Sequence, residues 1–354
     1  MSIEWSGGVN VIHIIFLVAI LFSVPFFRKK NRVPMYIFSF LILFFFLSIR
    51  LDYGNDYDGY LGIYMNIKSG IGGWGSNDIA FKFLNQISPT FRVFIVLQSF
   101  IYMMTIFLLM NKFLTNSNMW QGLMLLLINP YFFLIHLSGI RQTLAMCMFI
   151  LAVLLFINGK KIYGLLMTIL AVMFHKSALI LLPIILFLNK KKNKIFWIYI
   201  MFFTTLILLL TPLFNKVVEI VIPYFPTHYA TVYLSENVGN SILSTLMSFV
   251  IYVLILLNYD KLEDEEIILG KLAIIGSSIS ILTYRISMLT RVQSYFDIFL
   301  IVLFPIILNK QGSKLKKIII FSLILGVYLL RYYSFFTNPL WTENYRHYKS
   351  IFTF

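Results

Sequence analysis

The chain has 354 residues, 60% of them hydrophobic and only 12% charged, with a mean hydropathy of +0.86 and a formal net charge of +15. A soluble domain carries roughly a quarter charged residues, so this composition excludes one. Its solidly apolar runs also exclude a β-barrel, whose strands alternate polar and apolar residues. The basic residues fall in short clusters between apolar runs, which marks orientation in a membrane and not nucleic-acid binding. The single cysteine, Cys147, leaves no disulfide framework and no cysteine metal site.

About twelve apolar segments follow one another, at 10–27, 33–49, 92–111, 119–137, 140–158, 161–174, 177–189, 195–213, 241–258, 267–285, 292–309 and 316–335. The first lacks a basic leader and is followed by "RKKNR", the reverse of a signal peptide's polarity. Alternating the connections puts "RKKNR" (28–32), "NK" (111–112), "NGKK" (158–161), "NKKKNK" (189–194), "YDKLEDEE" (259–266) and "NKQGSKLKK" (309–317) on one side. The excess of lysine and arginine makes that side cytoplasmic. Both termini then face outward. The segments 161–174 and 177–189 are short for spans at 1.5 Å per residue. They are expected as a hairpin that enters from the cytoplasm and turns at "FHKSA" (174–178). The expected fold is all-α: a polytopic integral membrane protein, one transmembrane domain over 1–354, with a long extracytoplasmic loop at 51–91 after the second helix and another at 214–240. Within the first loop, "DIAFKFLNQIS" (78–88) reads as an amphipathic helix at the interface.

The distribution of arginine breaks the charge rule. Of nine arginines, Arg28 and Arg32 fall on the cytoplasmic side, whereas Arg50, Arg92, Arg141, Arg285, Arg291, Arg331 and Arg346 fall on or near the outer one; about fifteen of the twenty lysines lie inside. Guanidinium offers a rigid fork of donors that matches phosphate oxygens, which ammonium does not. The pattern therefore points to an outer-leaflet anion site, with phosphate the obvious ligand. Arg50 and Arg92, at helix ends, also suit ordinary snorkelling. Arg141 opens a helix in "HLSGIRQTLAMCMF" (136–149), beside Gln142, where free backbone N–H groups add to its charge; an interhelical hydrogen-bond pair is the plainer reading. In "TYRISMLTRVQSYFD" (283–297), Arg285 and Arg291 flank an outward turn. A helix from 291 puts Arg291 with Tyr295 on one face and Gln293 with Asp297 on another. Asp297, inside an apolar segment, is expected to be paired with a cation, as a structural ion pair.

Two groups are candidates for proton transfer. His175 sits at the hairpin tip, with a pKa suited to taking a proton from a sugar hydroxyl. "RLDYGNDYDGYLGIY" (50–64) brings Asp52, Asp56 and Asp58 among tyrosines. Acids and aromatic faces suit sugar binding, and an acid such as Asp56 suits a general base. "DYGNDYDG" lacks the spacing and terminal Glu of a calcium loop, so no metal site is expected there.

These stretches, taken in order, resemble the Wzy/EpsG-type polysaccharide polymerases. The resemblance rests on Arg50, Gly54, Asp56, Tyr57 and Tyr60 after the second helix, then "GIRQTLA" (139–145), "FHKSA" (174–178) and Arg291 with Tyr295, and it covers almost the whole chain. It implies a membrane-embedded, lipid-dependent (GT-C-like) glycosyltransferase without a metal or other cofactor. Such an enzyme joins oligosaccharide repeat units on undecaprenyl diphosphate at the outer face of the bacterial inner membrane, by inverting transfer of the donor chain to the non-reducing end of the acceptor. Its implied partners are the lipid-linked donor and acceptor, the bilayer and a chain-length regulator, with no nucleic acid. On that reading Arg141, Arg285, Arg291 and Arg50 hold diphosphates, His175 or Asp56 is the base, and Tyr57, Tyr60, Gln142 and Tyr295 meet the sugars. The rival readings are a flippase or exporter of the same lipid-linked glycans and an O-antigen ligase-like transferase. A flippase would want arginines along a path through the membrane and on both faces.

Overall fold

The computed structural model describes residues 11–23, 33–71, 73, 77–189, 191, 195–221 and 240–352. "RKKNR" (28–32), most of "NKKKNK" and most of the 214–240 connection lie outside the described residues. In chain order the helices are α1 (Val11–Ser23), α2 (Val33–Ser48), α3 (Tyr57–Lys68), α4 (Ile79–Ile87), α5 (Phe91–Phe113), α6 (Met119–Ile128), α7 (Ile140–Ile157), α8 (Lys161–Phe174), α9 (Leu181–Phe187), α10 (Ile195–Leu210) and α11 (Leu213–Val221). They continue with α12 (Ile242–Asn258), α13 (Glu266–Leu282), α14 (Leu289–Asp297), α15 (Leu300–Asn309), α16 (Lys314–Thr337) and α17 (Pro339–Tyr345). Among the described residues the only β pairing is an isolated bridge between Arg50 and Ser350.

Four helices, α5, α7, the stretch Ile242–Lys261 and α16, are each long and apolar enough to cross a bilayer. Two bent pairs bring the number to six if each is one span: Phe196–Leu210 with Leu213–Ile220, bent by 90°, and Leu289–Asp297 with Leu300–Asn309, bent by 46°. The other apolar helices are shorter. The sequence reads 119–137 as one segment, yet α6 stops at Ile128, because Asn129-Pro130 follows and proline cannot continue the ladder. Between α2 and α5, the connecting stretch carries two helices of its own, α3 and α4; α4 covers most of the amphipathic 78–88 run. Apolar segments 161–174 and 177–189 become α8 and α9, joined by a 3-10 turn at Lys176–Ile180 where the sequence puts the hairpin tip.

The helices group into two compact units, Met1–Ile185 with Tyr328–Phe354 and Leu186–Val327. In the first, α7 is apolar all round and buried on nearly every side, as a helix at the centre of a bundle must be. It packs on α8 through Gly164, whose Cβ, if present, would lie 2.9 Å from the Ala152 carbonyl oxygen. The α7–α8 turn is Asn158-Gly159-Lys160. Gly159 takes a φ of +79°, and the Lys160 N–H returns 2.9 Å to the Leu155 carbonyl, closing the helix end.

The second unit is built on α13, whose Ser280 hydroxyl meets Ser248 of α12 at 2.6 Å. Gly276 lets α14 approach, since a Cβ there would meet Asp297 Oδ1 at 2.7 Å and Phe296 Cβ at 2.8 Å. The loops 259–266 and 309–317 also meet: Lys310 pairs with Glu266 at 2.8 Å and with Glu263 at 3.3 Å, and Lys261 donates to Gln311 at 2.6 Å.

Candidate active site

The centre of the first unit is the irregular stretch 129–139 between α6 and α7. Outside an α-helix, and with only a 3-10 turn at Ile135–Leu137, buried carbonyls of this stretch need partners from elsewhere in the protein. Four side chains supply them here. Tyr102 donates to Phe132 O, Tyr345 to Leu134 O (3.2 Å), Thr143 to His136 O (3.0 Å) and Arg50 Nη1 to Leu137 O (3.0 Å). The Thr143 hydroxyl also meets His136 Nδ1 at 3.1 Å, so the buried histidine is tied to the helix it precedes.

Arg50 is 1% exposed and its guanidinium lies 5.9 Å from the Tyr57 ring centroid. Nη1 donates to Leu137 O and to Tyr53 O (3.4 Å), while Nε and Nη2 have no hydrogen-bond partner among the described residues. Burial pulls this group down to about 10, so it is still a cation at neutral pH. Arg141 follows at the start of α7. Its Nη1 makes a buried 2.7 Å ion pair with Asp78, the residue before α4, and its guanidinium lies 6.0 Å from the Phe81 ring centroid. Its backbone N–H, in the first turn of the helix where no intrahelical acceptor is available, reaches the Tyr60 hydroxyl at 3.4 Å. Tyr57 and Tyr60 are three residues apart on one face of α3, so a single helix presents the Tyr57 ring to Arg50 and the Tyr60 hydroxyl to the Arg141 backbone.

Burial raises the Asp78 carboxyl above its ordinary value, against the pull of Arg141 and, more weakly, Lys176. Lys176 is the residue after His175, so its electrostatic reach to Asp78 brings the "FHKSA" turn to the Arg141 ion pair. His175 is half-buried, extended at the end of α8, and its carbonyl accepts from the Ala178 N–H at 2.9 Å. Asp56 is exposed at the start of α3 and acts electrostatically on Tyr60 and Tyr345. Gln142 is half-buried beside Arg141. The structure thus brings Arg50, Tyr57, Tyr60 and Arg141 to one turn of the first unit, with Gln142 next to Arg141, Asp56 at the start of α3, and His175 next to the Lys176 whose charge reaches Asp78.

The other three residues singled out in the sequence, Arg285, Arg291 and Tyr295, belong to the second unit. Arg285 Nε donates to Leu209 O (2.7 Å) and Nη2 to Thr211 O (3.4 Å). These carbonyls sit at the bend between α10 and α11, beside Pro212. Arg291 is exposed on α14, and Tyr295 is fully buried one turn further on. Gln293, which the sequence puts on the same face as Asp297, donates to it; this partner is a neutral amide where the sequence reading expects a cation.

Sequence reasoning missed Asp78 as a partner of Arg141; it stood only as the first residue of an amphipathic run. It also missed Ser138, Tyr53, Tyr345 and Tyr348, the aromatic and hydroxyl groups packed around Arg50. The aromatic density of 332–348 was the available signal for the last two.

Searches of curated proteins and of solved structures found no match to this chain. A family model, that of the EpsG family, matches residues 33–350, which include every part of the arginine-bearing turn and the helices that hold it. The chain therefore belongs to the EpsG family, and its role is of the polysaccharide polymerase type.

Proposed function

We propose that the protein joins undecaprenyl-diphosphate-linked oligosaccharide repeat units at the outer face of the bacterial inner membrane. In this reading the chain crosses the membrane about twelve times as a GT-C-like transferase. It moves the donor glycan to the non-reducing end of the acceptor, inverting the anomeric centre without a metal. The acceptor hydroxyl oxygen bonds to the donor's anomeric carbon. The bond from that carbon to the diphosphate oxygen breaks, and its electron pair leaves with the diphosphate. The hydroxyl proton goes to His175, with Asp56 as the alternative base.

The observation that carries this reading is the pair of buried arginines braced at one backbone turn, with two donors of Arg50 unmatched among the described residues. Charge builds on the diphosphate as it leaves. Donors fixed in advance therefore stabilise the transition state more than the ground state. Arg141 adds the field of the α7 N-terminus to its own charge. Asp78 holds that guanidinium in place until the diphosphate competes for it. Tyr57, Tyr60 and Gln142 border the acceptor. Arg291, with Tyr295 one turn further along α14, is the candidate for a second diphosphate, whereas Arg285 gives its fork to the bend between α10 and α11.

The test is glycan chain length in a strain lacking the gene, complemented with wild type, Arg141→Ala, Arg141→Lys or His175→Ala at matched membrane levels. The expected result is single repeat units in the deletion and with Arg141→Ala, and a ladder only with wild type. Failure of Arg141→Lys as well shows that the fork is needed and not charge alone. Single units piling up on the cytoplasmic face would instead make the protein an exporter.

A further inference from the structure

The segment after α16 is more than a tail. It returns to the stretch that carries Arg50 and pairs with it along its length. Leu51 N–H donates to Lys349 O and Ile351 N–H to Ile49 O, both at 3.0 Å, which forms the bridge between Arg50 and Ser350. Gly54 N–H reaches Asn344 O at 3.3 Å, and Tyr53 Oη donates to Tyr345 O at 3.1 Å. From this strap the Tyr345 side chain passes inward, fully buried, and its hydroxyl bonds both Ser138 Oγ and Leu134 O in the turn before α7. Gly54 leaves the room: its φ is +105°, and a Cβ would lie 3.2 Å from Ser138 Oγ and 3.6 Å from Tyr345 Oη.

We propose that Tyr345 is a positioning residue, through which the C-terminal strap 344–351 holds the turn 134–138, and with it Arg50 and the start of α7, in the geometry that receives the diphosphate. The claim rests on the reading of that turn as the diphosphate site. Its physical basis is that two residues brace the same irregular backbone from opposite ends of the chain: Arg50 at Leu137 O, Tyr345 at Leu134 O and Ser138. If one brace lets go, Arg141 shifts with its helix. A misplacement of about 1 Å at a reacting group can cost on the order of a hundredfold in rate. The family match runs to residue 350, so it takes in all of the strap but its last residue.

Tyr345→Phe isolates the hydroxyl, because the ring keeps its edge contacts with Tyr53 (5.4 Å) and Phe335 (5.1 Å). In purified protein with a lipid-linked donor, the expected result is a kcat per folded protein about tenfold lower, a displacement smaller than the one above, with KM for the donor close to wild type and a modestly lower melting temperature from the lost buried hydrogen bond. Ser138→Ala should behave alike, and the double variant should lose no more than the worse single, since both act through one contact. A Tyr345→Phe protein that extends chains at the wild-type kcat, or that loses activity only as folded protein is lost, overturns the proposal. Arg141→Lys run alongside separates the two claims. If Arg141→Lys is dead while Tyr345→Phe is normal, the strap claim alone falls; if Arg141→Lys is also fully active, the diphosphate reading falls with it.

Discussion

Two breaks in apolar helices, one in each unit, are each stitched by an arginine. At Thr211-Pro212, Arg285 commits Nε and Nη2 to two carbonyls of the bend. At the turn before α7, Arg50 gives Nη1 to Leu137 O and Tyr53 O and keeps Nε and Nη2 unmatched among the described residues. Irregular backbone in a membrane needs donors, so an arginine near such a break is first a structural requirement. The difference lies in what remains of the fork once the backbone has been satisfied. An arginine with donors to spare, wholly buried beside a helix N-terminus, is built for an anion; one whose fork is shared between carbonyls is built for the bend.

The sharpest way to break that contrast is to remove the fork at the helix start. Arg141→Ala should lower chain extension by about a hundredfold or more, the scale of losing a preorganised donor to a developing anion, measured as ladder formation in complemented cells. Next come the matched lysine variants. Arg50→Lys should lower activity by about tenfold while leaving thermal unfolding nearly unchanged, since one ammonium still reaches Leu137 O. Arg285→Lys should do the reverse. Equal effects in both would erase the distinction.

Asp78→Asn sharpens the account of Arg141. A carboxyl raised by burial takes up its proton at a higher pH than an ordinary one. As pH falls, wild-type activity should therefore drop on an acid limb above the usual carboxylate value of about 4, because protonation releases Arg141. Asp78→Asn should be slower and should lack that limb; an unchanged limb would mean another group controls it. A smaller effect belongs to packing. Gly276→Ala puts a Cβ against Asp297 and Phe296 and should destabilise the second unit by about 1–3 kcal/mol in thermal unfolding. The smallest effect is at the surface. Lys349→Ala breaks an exposed ion pair with Asp52 and should leave ladder length and melting temperature unchanged.

The helical class and the turn at "FHKSA" were legible in the sequence because apolar length and helix breaks are local signals. Charge alternation also put the loops 259–266 and 309–317 on one side, and Lys310 joins them. The break after Ile128 was hidden inside an apolar window, since hydropathy averages over Asn129-Pro130. Asp78 gave no local signal as a partner of Arg141, because the pairing spans 63 positions of chain and depends on how α4 docks. Tyr345 is further still: its contact with Ser138 closes a separation of 207 residues. Periodicity says which residues share a face of one helix. It says nothing of which distant side chain will meet an orphaned carbonyl, and the candidate site is assembled mostly from such meetings.

The central claim, that the turn before α7 holds a diphosphate through the unmatched donors of Arg50, is tested most directly by binding. Purified wild-type, Arg50→Lys and Arg285→Lys proteins in lipid nanodiscs would be titrated with undecaprenyl diphosphate and, as a control, undecaprenyl alcohol. The account predicts diphosphate-dependent binding that weakens about tenfold in Arg50→Lys, for one lost charged hydrogen bond, and is retained in Arg285→Lys. Binding that survives in Arg50→Lys but is lost in Arg285→Lys would contradict it.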